Sequence, residues 1–138
     1  MKVENKISDK IIEIERYLEE LYEIFPISFE EYKIDFKSKA VSERYFERII
    51  EAVVDLTFLM IKEKELKQPE YEKESFDILA RAEIISETLS SRLQYAKGMR
   101  NILAHEYGKV DDQVVFNSIN EELKEDILNF IKSINAIL

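Results

Sequence analysis

Arg100-Asn101-Ile102-Leu103-Ala104-His105-Glu106-Tyr107 gathers an arginine, an amide, an imidazole and a phenol in one short run, and His105 is the only histidine of the chain. Imidazole is the side chain that most readily takes and returns a proton near neutral pH. A guanidinium is a permanent cation with a fork of N–H donors. The two together suit chemistry on a phosphodiester. There a base must remove a proton and a cation must steady developing negative charge.

Helical geometry sorts these residues. Arg100 and Tyr107 are seven positions apart and fall on nearly the same face of a helix. Asn101 and His105 are four apart and stack on a neighbouring face. If the helix persists to Tyr107, all four polar groups occupy adjacent sectors of one helix end, with Met99 and Leu103 facing a core behind them. Helix physics alone leaves a plainer alternative open. A histidine in a last turn can cap free carbonyls, Tyr107 can be an ordinary half-buried aromatic, and Arg100 can be a surface ion-pair partner.

The elements that must position this run are helical. Only two glycines and two prolines interrupt the 138 residues, which favours long helices and short turns. Ile7, Ile11, Ile14, Leu18, Leu21 and Ile24/Phe25 recur at helical spacing and predict a first helix stopped by Pro26. Ser28 is placed to cap a short turn after it, with Glu30 and Glu31 in the first turn. A second long helix is predicted from about Lys39 to Lys64. Its apolar positions, from Val41 to Met60, cover more than one narrow stripe, so it is either central or shared with a partner chain. Lys67-Gln68-Pro69-Glu70 is the clearest break. Ser75 opens a short helix, Ser86 caps the next, and Gly108 is a natural left-handed stop for it. Asp111 or Asp112 caps a last helix built on Val114, Val115, Ile119, Leu123, Ile127, Phe130, Ile131, Ile134 and Ile137. The expected fold is all-α, an up-and-down bundle of four main helices with short additional helices, in a single domain over 1–138.

Composition narrows the chemistry. With no cysteine and one histidine, disulfides, a thiolate metal site, a cysteine nucleophile and a dense metal cluster all drop out. No glycine-rich loop exists to cradle phosphates. The apolar stretch Leu56–Ile61 is far too short to span a membrane, and the N-terminus enters an amphipathic pattern directly, so a cytoplasmic protein is expected. The net charge of −9 argues against a broad nucleic-acid footprint. Residues 88–110 are nevertheless net basic, through Arg92, Lys97, Arg100 and Lys109 against Glu106. Arg92 and Lys97 are therefore candidate RNA-binding residues beside the motif. Glutamate runs such as Glu19-Glu20 and Glu121-Glu122 read as solvated helix faces.

The string Met99 to Tyr107, followed by Val110-Asp111 and a final helix, resembles the HEPN superfamily, specifically the HepT-type toxins of HepT/MNT toxin–antitoxin modules. Their signature is an arginine, usually followed by a polar residue, then a short spacer to a histidine and one residue to a tyrosine. Arg100, Asn101, His105 and Tyr107 each match. Glu43-Arg44 through Asp55 is similar to the family's long central helix, and Phe76 to Leu79 with Ile84-Ile85 to its connecting segment. The resemblance implies metal-independent RNA cleavage, with no cofactor, by a homodimer whose two motifs face each other across a cleft. It assigns His105 as the acid/base that activates a ribose 2′-hydroxyl. Arg100 would stabilise the phosphorane-like transition state, and Asn101 would orient His105 or the phosphate. It makes Tyr107 the acceptor of AMP from an MNT-type nucleotidyltransferase antitoxin, a modification that silences the toxin. Bulk and negative charge beside Arg100 would block an RNA phosphate. The rivals are a non-catalytic helical module that binds a nucleotidyltransferase or nucleotide, and a purely structural dimer. A His105 buried in its own core would favour the latter.

Overall fold

Six helical segments flank and form the bundle in a computed structural model that describes residues 3–105 and 110–138. They are α1 (Val3–Ile24), α2 (Phe29–Ile34), α3 (Phe36–Glu63), α4 (Glu74–Arg81), α5 (Glu87–His105) and a last helix made of α6 (Asp112–Asn117), a π-helical turn (Ser118–Leu123) and α7 (Lys124–Asn135). No strand occurs among the described residues. None of the helices is long and apolar enough to cross a membrane.

Local chemistry explains the starts and stops. Pro26 follows the end of α1, and the Ser28 hydroxyl accepts from the Glu31 amide at 3.2 Å to cap α2. Asp35 then serves twice. Its amide donates to the Glu31 carbonyl at 2.9 Å, and its carboxylate accepts from the Lys37 and Ser38 amides at 3.2 and 3.3 Å. This cap starts α3 at Phe36, ahead of the Lys39 expected from apolar spacing. Glu65 and Glu83 close α3 and α4 in the left-handed region, with φ of 53° and 61°. The following amides, of Leu66 and Ile84, reach back to Ile61 and Leu79, each at 2.9 Å, in Schellman closures.

The core runs along α3. Ile7, Ile11, Ile14, Leu18 and Leu21 of α1 are buried, and α1 packs lengthwise on α3. Lys10 reaches Asp55 at 3.5 Å and Arg48 reaches the Tyr17 hydroxyl at 3.5 Å, so the two helices run antiparallel. The broad apolar circumference of α3 is satisfied inside the chain: Phe46, Ile49, Ile50, Val53, Leu56, Met60 and Ile61 are all buried, and α1, α2, α4 and α5 surround the helix. The helix is central, and Phe36 and Val41 near its start stay exposed.

The last helix departs from regular winding. Its π turn admits an extra residue, and Phe116, which the expected apolar stripe omits, is buried. Phe116 lies against Phe25 at 5.2 Å between ring centroids, Tyr32 at 5.5 Å and Phe29 at 5.8 Å. That aromatic box ties α6 to α1 and α2 at the end of the bundle where α5 finishes. The Lys39–Asp112 ion pair at 2.8 Å adds a second tie.

Tyr22 donates its hydroxyl to the Ile119 carbonyl in the π turn at 2.6 Å. Burial pushes this phenol up to about 12, against a smaller opposing effect from the Lys124 backbone. The folded value lies above the ordinary one, so the stabilisation is complete below pH ~10 and is lost as pH rises through the folded value. Alkaline spectrophotometric titration should therefore show a late-ionising phenol that Tyr22→Phe removes. That variant should lose about 1 kcal/mol of stability for the unpaired carbonyl. An unchanged titration curve would contradict this placement.

Candidate active site

Ser86 starts the helix that carries the motif, its hydroxyl accepting from the Leu89 amide at 3.0 Å. Leu89, Leu93, Met99 and Leu103 then turn inward and are buried, as their spacing predicts. This fixes the rotation of α5: Asn101 and His105 turn away from the core, while Arg100, seven residues after Leu93, lies at the edge of the face that packs on α3. His105 is exposed at the last described turn, and Asn101 is half-buried one turn before it. An exposed imidazole is available to a substrate, whereas one sealed in the core would not be.

Arg100 is held from two sides. Its Nη1 donates to the Asn101 side-chain oxygen at 2.8 Å, and its Nη2 lies 3.4 Å from Oε1 of Glu51 on α3. Its Nε is buried and has no partner. The side chain is 23% exposed, so a cation is presented at the surface on a largely covered stem. Glu51 is the site residue that sequence reasoning missed. A signal was available: Glu43, Glu47, Glu51 and Asp55 repeat every fourth residue, which lays acidic groups along one flank of α3.

The other basic residues of this segment are engaged within the chain. Arg92 donates from Nε to Asp126 of α7 at 2.7 Å. Lys97 is buried and pairs with Glu72 at 3.2 Å. The net positive charge of residues 88–110 is thus largely neutralised by carboxylates from elsewhere in the fold. The Lys97 stem is covered and its ammonium is turned to Glu72, whose carboxylate is exposed. Tyr107, Gly108 and Lys109 lie outside the described residues, as does the continuation of the helix to Gly108.

Beside the motif, Tyr95, Gly98, Met99, Ile102, Val114 and Val115 line an apolar cavity of about 360 Å³ between α5 and α6. Tyr95, Ile102 and Val114 are exposed there, and nothing lies within 4 Å of where a Gly98 side chain would begin. A larger depression of about 630 Å³ between α1 and α3 carries ionic groups already joined to one another: Lys10 bridges Glu13 at 2.9 Å and Asp55 at 3.5 Å. No cluster of three or more His, Asp or Glu side chains suited to a metal ion occurs among the described residues.

The chain and its architecture have counterparts among known proteins. The family model described as "Ribonuclease HepT-like" matches residues 14–134. The chain is 28% identical to a tRNA nuclease HepT of Aphanizomenon flos-aquae, over 91% of its own length and 84% of the relative's. It is also 28% identical to an mRNA nuclease HepT of Shewanella oneidensis, over 94% and 96%. The tri-AMPylated Shewanella oneidensis HEPN toxin, solved in complex with an MNT antitoxin, superposes with a TM-score of 0.87 at 28% identity, covering 94% of this chain and 96% of that one.

Proposed function

The chain belongs to the HepT-like ribonuclease family, and from that premise we propose that it is a metal-independent endoribonuclease toxin governed by an MNT-type nucleotidyltransferase antitoxin. The observation that carries the reading is an exposed His105 at the end of α5, with Asn101 one turn before it bonded to the partly covered Arg100. His105 takes the proton of a ribose 2′-hydroxyl. The freed oxygen attacks the adjacent phosphorus, Arg100 stabilises the charge that gathers on the phosphoryl oxygens, and the 5′-oxygen leaves with a proton. The product ends are a 2′,3′-cyclic phosphate and a 5′-hydroxyl. No step needs an added nucleophile, because the substrate supplies its own. Of the two roles open to Asn101, its bond to Arg100 supports service to the phosphate-binding group.

One imidazole per chain must act as base and then as acid, or two copies must share the work. A homodimer supplies the second imidazole. The exposed apolar cavity beside the motif, with Gly98 open to approach, is the surface that supports such pairing. Sedimentation at micromolar concentration should give about twice 16.4 kDa. Gly98→Trp should yield a folded monomer, since the space at Gly98 is empty within the chain. A wild-type monomer would remove the shared-cleft arrangement.

Purified, unmodified protein should cut cellular RNA in excess chelator and leave cyclic-phosphate ends. RNA that stays intact, or cleavage that chelator abolishes, would overturn the reading. Co-purification with the nucleotidyltransferase without any cleavage would instead favour the non-catalytic binding module.

A further inference from the structure

Arg100 is the cation on which the proposed chemistry turns, and it does not stand alone. A guanidinium has five N–H groups. The one on Nε is sealed, and one on Nη1 is given to Asn101. The remaining N–H groups are on the two Nη atoms. The Glu51 carboxylate stands 3.4 Å from Nη2. A charge-assisted hydrogen bond would be about 2.7–2.9 Å. At the longer distance the carboxylate steers the cation without occupying its donors. Glu51 comes from the central helix, whose buried face fixes its position, so it is a rigid reference point for a flexible side chain.

Resting on the ribonuclease reading, we propose that Glu51 is a positioning residue for RNA cleavage: it holds the Arg100 guanidinium in one orientation, with its free Nη donors turned to the scissile phosphate. Two features support positioning. Burial of Nε confines the stem side of the group by packing, without a hydrogen bond, and Asn101 grips one branch of the fork. Without Glu51 the other branch is free to rotate about the remaining bonds. The phosphate would then meet a cation of the same charge but of unfixed aim, and aim matters most in the transition state. Glu51 does not touch substrate in this arrangement. Its effect passes through Arg100, so it acts on turnover more than on binding.

The decisive variant is Glu51→Gln, which keeps the shape and removes the charge. It should lower kcat about tenfold, as a half-buried pair that sets orientation would, with KM little changed. Glu51→Asp, which keeps the charge on a shorter arm, should recover part of the loss. An unchanged kcat in Glu51→Gln would overturn the proposal. So would a rise in kcat/KM, because Glu51 would then be competing with the RNA phosphate for Arg100. A second measurement does not depend on cleavage. The Arg100 Nε–H resonance, assigned by its disappearance in Arg100→Lys, should exchange with water faster in Glu51→Gln than in the wild type. If wild-type protein leaves RNA intact, the ribonuclease reading falls, and this resonance alone decides whether Glu51 holds Arg100. An unaltered resonance in Glu51→Gln would overturn the hold.

Discussion

His105→Ala should abolish RNA cleavage while leaving the helical circular-dichroism spectrum unchanged. A positioned general base contributes about 10²–10⁴-fold to such a reaction, and the chain has no second histidine to take over. The assay therefore needs protein free of any histidine tag. His105 is exposed at the last described turn of α5 and supports no core packing, so loss of activity would not reflect loss of fold. Arg100→Ala should fall by about 10²–10³-fold, the usual consequence of removing one transition-state donor. Arg100→Lys should recover little of that, because a point charge lacks the fork that Asn101 and a phosphate engage together. The double variant should be scarcely worse than either single one, since both residues serve a single step. Cleavage by His105→Ala at the wild-type rate would eliminate the mechanism outright.

The second large effect concerns silencing. Co-expression with a cognate nucleotidyltransferase should add adenylyl groups to the protein, visible as increments in intact mass, and reduce cleavage to background. The tri-AMPylated state of the Shewanella oneidensis relative makes more than one increment a reasonable expectation. If Tyr107 is the acceptor, Tyr107→Phe should keep nuclease activity and escape this inhibition. The phosphodiester charge of an adenylyl group would compete with substrate phosphate for a cation such as Arg100. Full inhibition with unchanged intact mass would transfer the regulation to binding alone.

The four long helices are legible in the sequence because buried apolar residues recur at helical spacing in each, in one stripe or, for α3, in several, and hydroxyl or carboxylate caps mark several starts. Ser28, Ser86 and Asp111 all cap as their side chains suggest. The basic segment is legible as a sum of charges but misleading as a surface. Arg92 and Lys97 meet Asp126 and Glu72 only once the chain has folded. Glu51 is half legible: the four-residue repeat marks the acidic flank of α3, but its partner lies on another helix, so spacing alone does not single it out from Glu47 or Asp55. Phe116 is legible as well, since eleven residues of regular winding before Ile127 return to within about 20° of its face; taking Val114, which is exposed, as an inward position leaves it out. Asp35 is a local signal strong enough to move a helix start by itself.

That irregular last helix has a consequence for lineage and for engineering. One residue corresponds to about 100° of rotation in an α-helix. A π turn advances less per residue, so the extra residue taken up between Ser118 and Leu123 is absorbed there and the α-helical turns on either side keep their phase. Deleting a single residue there should restore regular winding with Phe116 still in its aromatic box, whereas a deletion in the regular turns of α7 would rotate Phe116, Asp111 and Asp112 away by about 100°. Tyr22, plugged into the Ile119 carbonyl from across the bundle, works as a lock on that phase. The π turn is thus the place where this helix can give up one residue alone, while length changes elsewhere in it need a compensating change on the same side of Tyr22.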